Sequence, residues 1–182
     1  MSKHGTLAAI LVLLTMLPGM AAAASIGRCG SGVGSQTASL SCPPGQYVVA
    51  LSAKGGDYLD RLGIKCAPFN ASGVRGSMAH TAAAGGSGGT ESASSTCSGN
   101  RAIGHILTYS GSWVDALKSA LCAQRKAAGG FDEVKFESRL EFNVGGKHGR
   151  QCSLTCPAGQ AIHKITVRYG AWIDSIEAFC QP

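Results

Sequence analysis

The sequence has no run of apolar residues long enough to cross a bilayer. The longest, Leu7 to Leu17, is broken by Pro18-Gly19 and falls well short of the roughly 20 residues a membrane helix needs. With Lys3 before it and Ala22-Ala23-Ala24 after it, this stretch reads as a signal peptide cut after Ala24. Also missing is any basic tract interleaved with aromatics. Lys and Arg outnumber Asp and Glu by 16 to 10, but they are scattered, with Arg125-Lys126 the densest pair, which excludes a nucleic-acid partner. The basic balance favours an anionic envelope or a sulfated glycan through long-range attraction that salt would screen.

Enzyme signatures are absent as well. The one G-x-S-x-G match, Gly85-Gly86-Ser87-Gly88-Gly89, follows alanines rather than an apolar strand and leads into no helical pattern, so it reads as a loop. No pair of carboxylates is spaced for acid and base roles. Cys152 and Cys156 lie close together without a histidine set beside them, and a disulfide accounts for them better than a metal. The expectation is a protein without catalytic residues, cofactor or metal.

What is abundant is glycine, 26 residues, and cysteine, eight residues, all of the latter beyond the expected cleavage point. Glycine, serine and threonine between apolar stretches indicate strands and turns. An even cysteine count in an exported chain indicates disulfides. Residues 25–182 are enough for one domain with a single core.

Three segments repeat: Cys42 to Cys66, Cys97 to Cys122 and Cys156 to Cys180. Aligned on the opening cysteine, a Gly recurs in every copy (Gly56, Gly111, Gly170). Two residues on stands an aromatic (Tyr58, Trp113, Trp172), two further an Asp (Asp60, Asp115, Asp174), and two further an apolar residue (Leu62, Leu117, Ile176). The middle copy holds one extra residue between Leu117 and Cys122, which a β-bulge would absorb. Gly-rich stretches at 30–34, 85–89 and 145–149 precede the three opening cysteines, giving repeat units of about 30–70, 85–130 and 131–182.

Within a unit the period is that of strands: Ile165, Val167 and Tyr169 alternate with Lys164, Thr166 and Arg168, and Leu62, Ile64 and Cys66 with Arg61, Gly63 and Lys65. The alternating stretch Phe131 to Phe142 is expected to add outer strands before the third copy. About four strands per unit around one core predict an all-β, closed three-sheet prism. If the units are equivalent, Cys42 pairs with Cys66, Cys97 with Cys122 and Cys156 with Cys180. The remaining Cys29 and Cys152 then pair and close the ring.

The motifs GSWVDAL (111–117) and GAWIDSI (170–176), each following an apolar strand and a Gly-rich loop, resemble the jacalin-related lectins. The C-P-x-G frame running to a closing cysteine resembles vitelline membrane outer layer protein one. Both resemblances imply a β-prism I of three Greek-key, four-stranded sheets about a pseudo-threefold axis, here stapled by disulfides and covering residues 25–182 as a single jacalin-like domain.

The lectin resemblance further implies that a sugar is held by each G-x-x-x-D turn together with a Gly-rich loop. The matching carbohydrate-binding positions are Gly56, Tyr58 and Asp60; Gly111, Trp113 and Asp115; and Gly170, Trp172 and Asp174. A carboxylate accepts charge-assisted hydrogen bonds from vicinal hydroxyls, and a ring two residues before it can cover the sugar's apolar face. The third turn has the fullest motif, and the first carries an additional charge at Asp57. The expectation is a secreted lectin, extracellular or periplasmic, that binds mannose or glucose on cell-surface or envelope glycans. The alternative is a structural extracellular or coat protein in which an Asp bonds its own backbone and only holds the turn.

Overall fold

The structure is a computed structural model that describes residues 25–182; the expected signal peptide lies outside the described residues. The described residues open with two short strands, β1 (Ser25–Cys29) and β2 (Gln36–Ser41), followed by a long hairpin, β3 (Gln46–Gly55) and β4 (Leu59–Pro68). Pairs of short strands and long hairpins then alternate: β5 (His80–Gly85) and β6 (Glu91–Thr96), β7 (Arg101–Ser110) and β8 (Val114–Gln124), β9 (Arg139–Gly145) and β10 (Arg150–Thr155), β11 (Ala161–Tyr169) and β12 (Ile173–Gln181).

Each long hairpin is the centre of a four-stranded antiparallel sheet, and two short strands flank it, one on either side. The orders are β5-β4-β3-β6, β10-β7-β8-β9 and β1-β12-β11-β2. The first two long hairpins take the pair of short strands that follows them. The third, near the end of the chain, takes β1 and β2 from its beginning. This is the β-prism expected from the repeats, closed by joining the two ends of the described chain in one sheet.

That connectivity sharpens two expectations. Of the stretch 131–142 only the end adds an outer strand before the third copy: Phe131 is fully buried, residues 136–138 form a single 3-10 turn, and from Arg139 the strand β9 runs as the edge of the second sheet. Each sheet also draws strands from beyond a single repeat span of 30–70, 85–130 or 131–182, because the flanking strands follow their long hairpin in the chain or, at the ring closure, are β1 and β2.

The alternation seen in the sequence is realised. Ile165, Val167, Leu62, Ile64 and Cys66 lie in the core while Arg61 and Lys65 point to solvent. The core is one cluster drawn from all three sheets, including Leu51, Leu59, Ile103, Ile106, Leu117, Ile162 and Ile176. The extra residue of the middle copy is Lys118, bulged between Leu117, which faces Thr108, and Ser119, which faces Leu107. The far end of the prism is sealed by Tyr47, Phe69 and Phe131, ring centroids 4.8–5.9 Å apart. The Arg125 guanidinium lies over the Tyr47 and Phe131 rings, and the Tyr47 hydroxyl donates to the Pro182 carbonyl.

The four disulfides are the pairs that symmetry requires: Cys42–Cys66, Cys97–Cys122, Cys156–Cys180 and the ring-closing Cys29–Cys152. The first three span 24 or 25 residues, and Cys29–Cys152 spans 123. In the chain-entropy account longer loops give larger stabilisation, about 3 kcal/mol for the short ones and more than 4 for the long one. Replacing Cys29 and Cys152 together by serine is therefore expected to lower the urea midpoint more than replacing Cys97 and Cys122 together, measured on otherwise oxidised protein.

Candidate functional site

The three long hairpins turn at the same end of the prism. Each turn is closed alike, by the N–H of its first glycine donating to the carbonyl of the aromatic residue two positions on: Gly56 to Tyr58 at 3.0 Å, Gly111 to Trp113 at 2.9 Å and Gly170 to Trp172 at 2.9 Å. This places Asp60, Asp115 and Asp174 one residue inside β4, β8 and β12.

Over each Asp folds the loop that joins the two flanking short strands. Residues 86–90 of the β5–β6 loop cover Asp60, residues 146–149 of the β9–β10 loop cover Asp115, and residues 30–35 of the β1–β2 loop cover Asp174. The N–H of Gly86 donates to the Asp60 carbonyl at 2.8 Å, and that of Gly146 to the Asp115 carbonyl at 2.9 Å. Backbone comes so close that no side chain fits. A Cβ on Gly88 would lie 2.5 Å from Asp60 Oδ1, one on Gly34 would lie 2.5 Å from Asp174 Oδ2, and one on Gly149 would collide with Asp115 Oδ2. At the start of the loops Gly30, Gly85 and Gly145 have φ of +82°, +123° and +98°, a region that L side chains rarely occupy.

The sequence marked these glycine stretches but joined each to the copy it precedes. In the structure the loop at 85–89 serves Asp60 of the copy before it, 145–149 serves Asp115, and 30–34 reaches Asp174 near the other end of the chain. Nothing local in the sequence signals this pairing. Each loop also touches a second turn: Cβ atoms on Gly32, Gly86 and Gly146 would meet the carbonyls of Ser112, Ala171 and Asp57. The three turns and three loops thus interlock in a ring. The Glu91 carboxylate adds a link between sheets by accepting the Gly145 N–H at 3.1 Å.

The carboxylates are well sheltered. Asp60 and Asp115 are 4% and 5% exposed, while Asp174 is half-buried. Burial pushes the Asp60 carboxyl above its ordinary value, partly offset by Lys54, whose ammonium also donates to the Ser87 carbonyl at 3.0 Å. Burial raises Asp115 too, against the pull of its own N–H, of His148 and of the Gly111 N–H. Asp115 Oδ2 is buried with no hydrogen-bond partner among the described residues. It is an acceptor with vacant lone pairs.

The aromatics do not stand apart over three separate turns. Tyr58, Trp113 and Trp172 converge on the pseudo-threefold axis, with centroids 5.3 Å (Tyr58–Trp113), 5.0 Å (Tyr58–Trp172) and 6.0 Å (Trp113–Trp172) apart. Among the described residues no group of three or more His, Cys, Asp or Glu side chains is placed to hold a metal ion.

No family model and no curated protein matches the sequence. Solved structures do match in fold. A mannose-specific jacalin-related lectin from Morus nigra, in complex with mannose, superposes with a TM-score of 0.66 at 14% identity, covering 92% of this chain and 100% of that one. Artocarpin in complex with a mannopentose gives 0.62 at 10% identity over 88% and 98%. The Malaysian banana lectin gives 0.59 at 16% identity over 88% and 99%. At such identities the likeness is one of fold: the chain is a β-prism of the jacalin-related lectin type, with four disulfides in addition.

The raised carboxyls have a consequence for stability. A folded-state value above the unfolded one means that the native protein holds its proton more tightly, so stability is present in full below the ordinary value of 3.8 and is lost as pH rises through the folded value. Asp115→Asn is therefore expected to be at least as stable as the parent at pH 7, with that advantage vanishing below the ordinary carboxyl range. Thermal unfolding across pH 3–7 measures it, and a variant markedly less stable at pH 7 would identify Asp115 as a scaffold residue.

Proposed function

We propose that residues 25–182 form a single secreted carbohydrate-binding domain, a lectin, whose G-x-x-x-D turns hold terminal sugars of the mannose or glucose type on cell-surface or envelope glycans. The observation that carries this reading is the repeated cradle: a sheltered carboxylate faced by glycine backbone that no side chain obstructs, three times on one end of the prism. Each carboxylate accepts from vicinal hydroxyls in charge-assisted bonds, which are shorter and stronger than neutral ones. Backbone N–H groups of the covering loop, other than those of Gly86 and Gly146, donate to the same sugar's oxygens. The unpartnered Oδ2 of Asp115, buried beneath its loop, is the clearest vacant acceptor.

The sites comprise Gly56 and Asp60, Gly111 and Asp115, and Gly170 and Asp174, bounded on the axis side by Tyr58, Trp113 and Trp172. The sugars in the Morus nigra lectin and artocarpin structures support the ligand class, and the expected signal peptide and four disulfides support export. No helix among the described residues is long and apolar enough to cross a membrane. The chemistry on offer is that of binding, acceptors and amides in separate cradles, rather than of bond cleavage. A second reading, an extracellular coat protein, draws on the interlocked loops and the near-complete burial of Asp60 and Asp115, features that also suit a scaffold.

A glycan array of the oxidised protein separates the two. Several weak sites on one face engage a glycan surface together, and such avidity can exceed single-site affinity by about 10²-fold or more. Specific array signal is expected, lost by at least about that factor in the triple variant Asp60→Asn, Asp115→Asn, Asp174→Asn with its melting temperature retained. Silence of the parent protein across neutral and sulfated glycans would sink the lectin reading. Collapse of the fold in the variants would favour the coat protein.

A further inference from the structure

The two ends of the prism each carry three aromatic rings in mutual contact, yet they are treated oppositely. At the far end Tyr47 and Phe131 are buried, and Arg125 stacks over them. At the end bearing the Asp turns, Trp113 is 38% and Trp172 41% exposed, and Tyr58 is half-buried. Their rings approach edge-on or tilted, with interplanar angles of 44–70°, which stiffens the cluster without covering it. The rings therefore form an open platform held in place by the fold.

Its surroundings define what fits. Each ring is two residues from an Asp, so the two Cα atoms lie within roughly 7 Å of each other. The rim is mostly polar or backbone: Asp57 and Ser112 are exposed beside their turns, Ala171 beside the third and Val33 on the loop over Asp174, and the Ser31 hydroxyl donates to the Gly111 carbonyl at 3.5 Å. A bilayer or an apolar protein face needs a wider apolar patch. A pyranose suits it, because such a ring offers C–H groups on one face and hydroxyls around its edge.

We propose that Tyr58, Trp113 and Trp172 form one shared subsite, which stacks on the second sugar ring of a glycan whose terminal residue occupies an Asp turn. This rests on the lectin reading and adds to it: the face selects oligosaccharides over monosaccharides, and three turns share one platform. An oligosaccharide seated in one turn then takes the platform from the other two, which are left to hold terminal sugars alone.

The chain holds two tryptophans, and both are in the platform, so tryptophan emission reports on it alone. Calorimetric and fluorescence titrations of the oxidised protein would compare methyl α-mannoside with α-linked mannotriose, and methyl α-glucoside with maltotriose. The expected result is that a trisaccharide binds at least about ten-fold tighter than its monosaccharide and shifts the emission further to the blue. Trp113→Leu and Trp172→Leu are expected to bring the affinity ratio close to one. Monosaccharide binding with no trisaccharide gain and no greater emission shift would overturn the shared subsite and leave the lectin reading standing. A ratio that survives in folded Trp variants would also overturn it. Failure of all four sugars to bind would sink both readings together. The ratio and emission in the parent protein decide the matter even if a Trp variant does not fold.

Discussion

The close approach of side-chain-free backbone to three aspartates is the constraint on which the turn-bearing end of this protein depends. Where a Cβ would strike a carboxylate oxygen or a carbonyl, as at Gly34, Gly85, Gly88 and Gly149, only glycine lets loop and turn meet. Because each loop also abuts a neighbouring turn, through Gly32, Gly86 and Gly146, the three cradles are not independent appendages. Their geometry is set by the closure of the whole ring.

That closure has covalent and packing components. Cys29–Cys152 ties the edge of the third sheet to the edge of the second, one residue from the loop over Asp174, while the other bridges lie in or against the core cluster that the three sheets share. The Tyr47, Phe69 and Phe131 rings with Arg125 seal the opposite end. With the base fixed this way, the fold tolerates two destabilising features at the other end: carboxyls whose burial raises their proton affinity and tryptophans left partly in water. Features that stability alone would remove are those a binding face retains.

Much of the architecture was legible because it repeats. The shared register of Gly, aromatic, Asp and apolar positions after Cys42, Cys97 and Cys156 identified three equivalent hairpins, and equivalence alone led to the disulfide pairs. Alternation in Ile165–Val167 and Leu62–Ile64 placed the core face. The bulge at Lys118 lay within the interval where an extra residue had to be absorbed. The alternating stretch 131–142 is only in part a strand: Arg139 to Phe142 belong to the outer strand β9, while Phe131 is drawn instead into the aromatic cluster at the base.

Sequence by itself determined the repeat, the cysteine frame and the candidate residues of each turn, since all of these are local patterns copied three times. Tertiary structure decided which glycine loop serves which aspartate and that the three rings meet. The physical reason is connectivity: each long hairpin is flanked by two short strands that pair with it and not with each other, and at the ring closure these are β1 and β2, so residues 30–34 come to lie against Asp174. Convergence of Tyr58, Trp113 and Trp172 likewise follows from the common axis of three sheets, which no single copy of the motif contains.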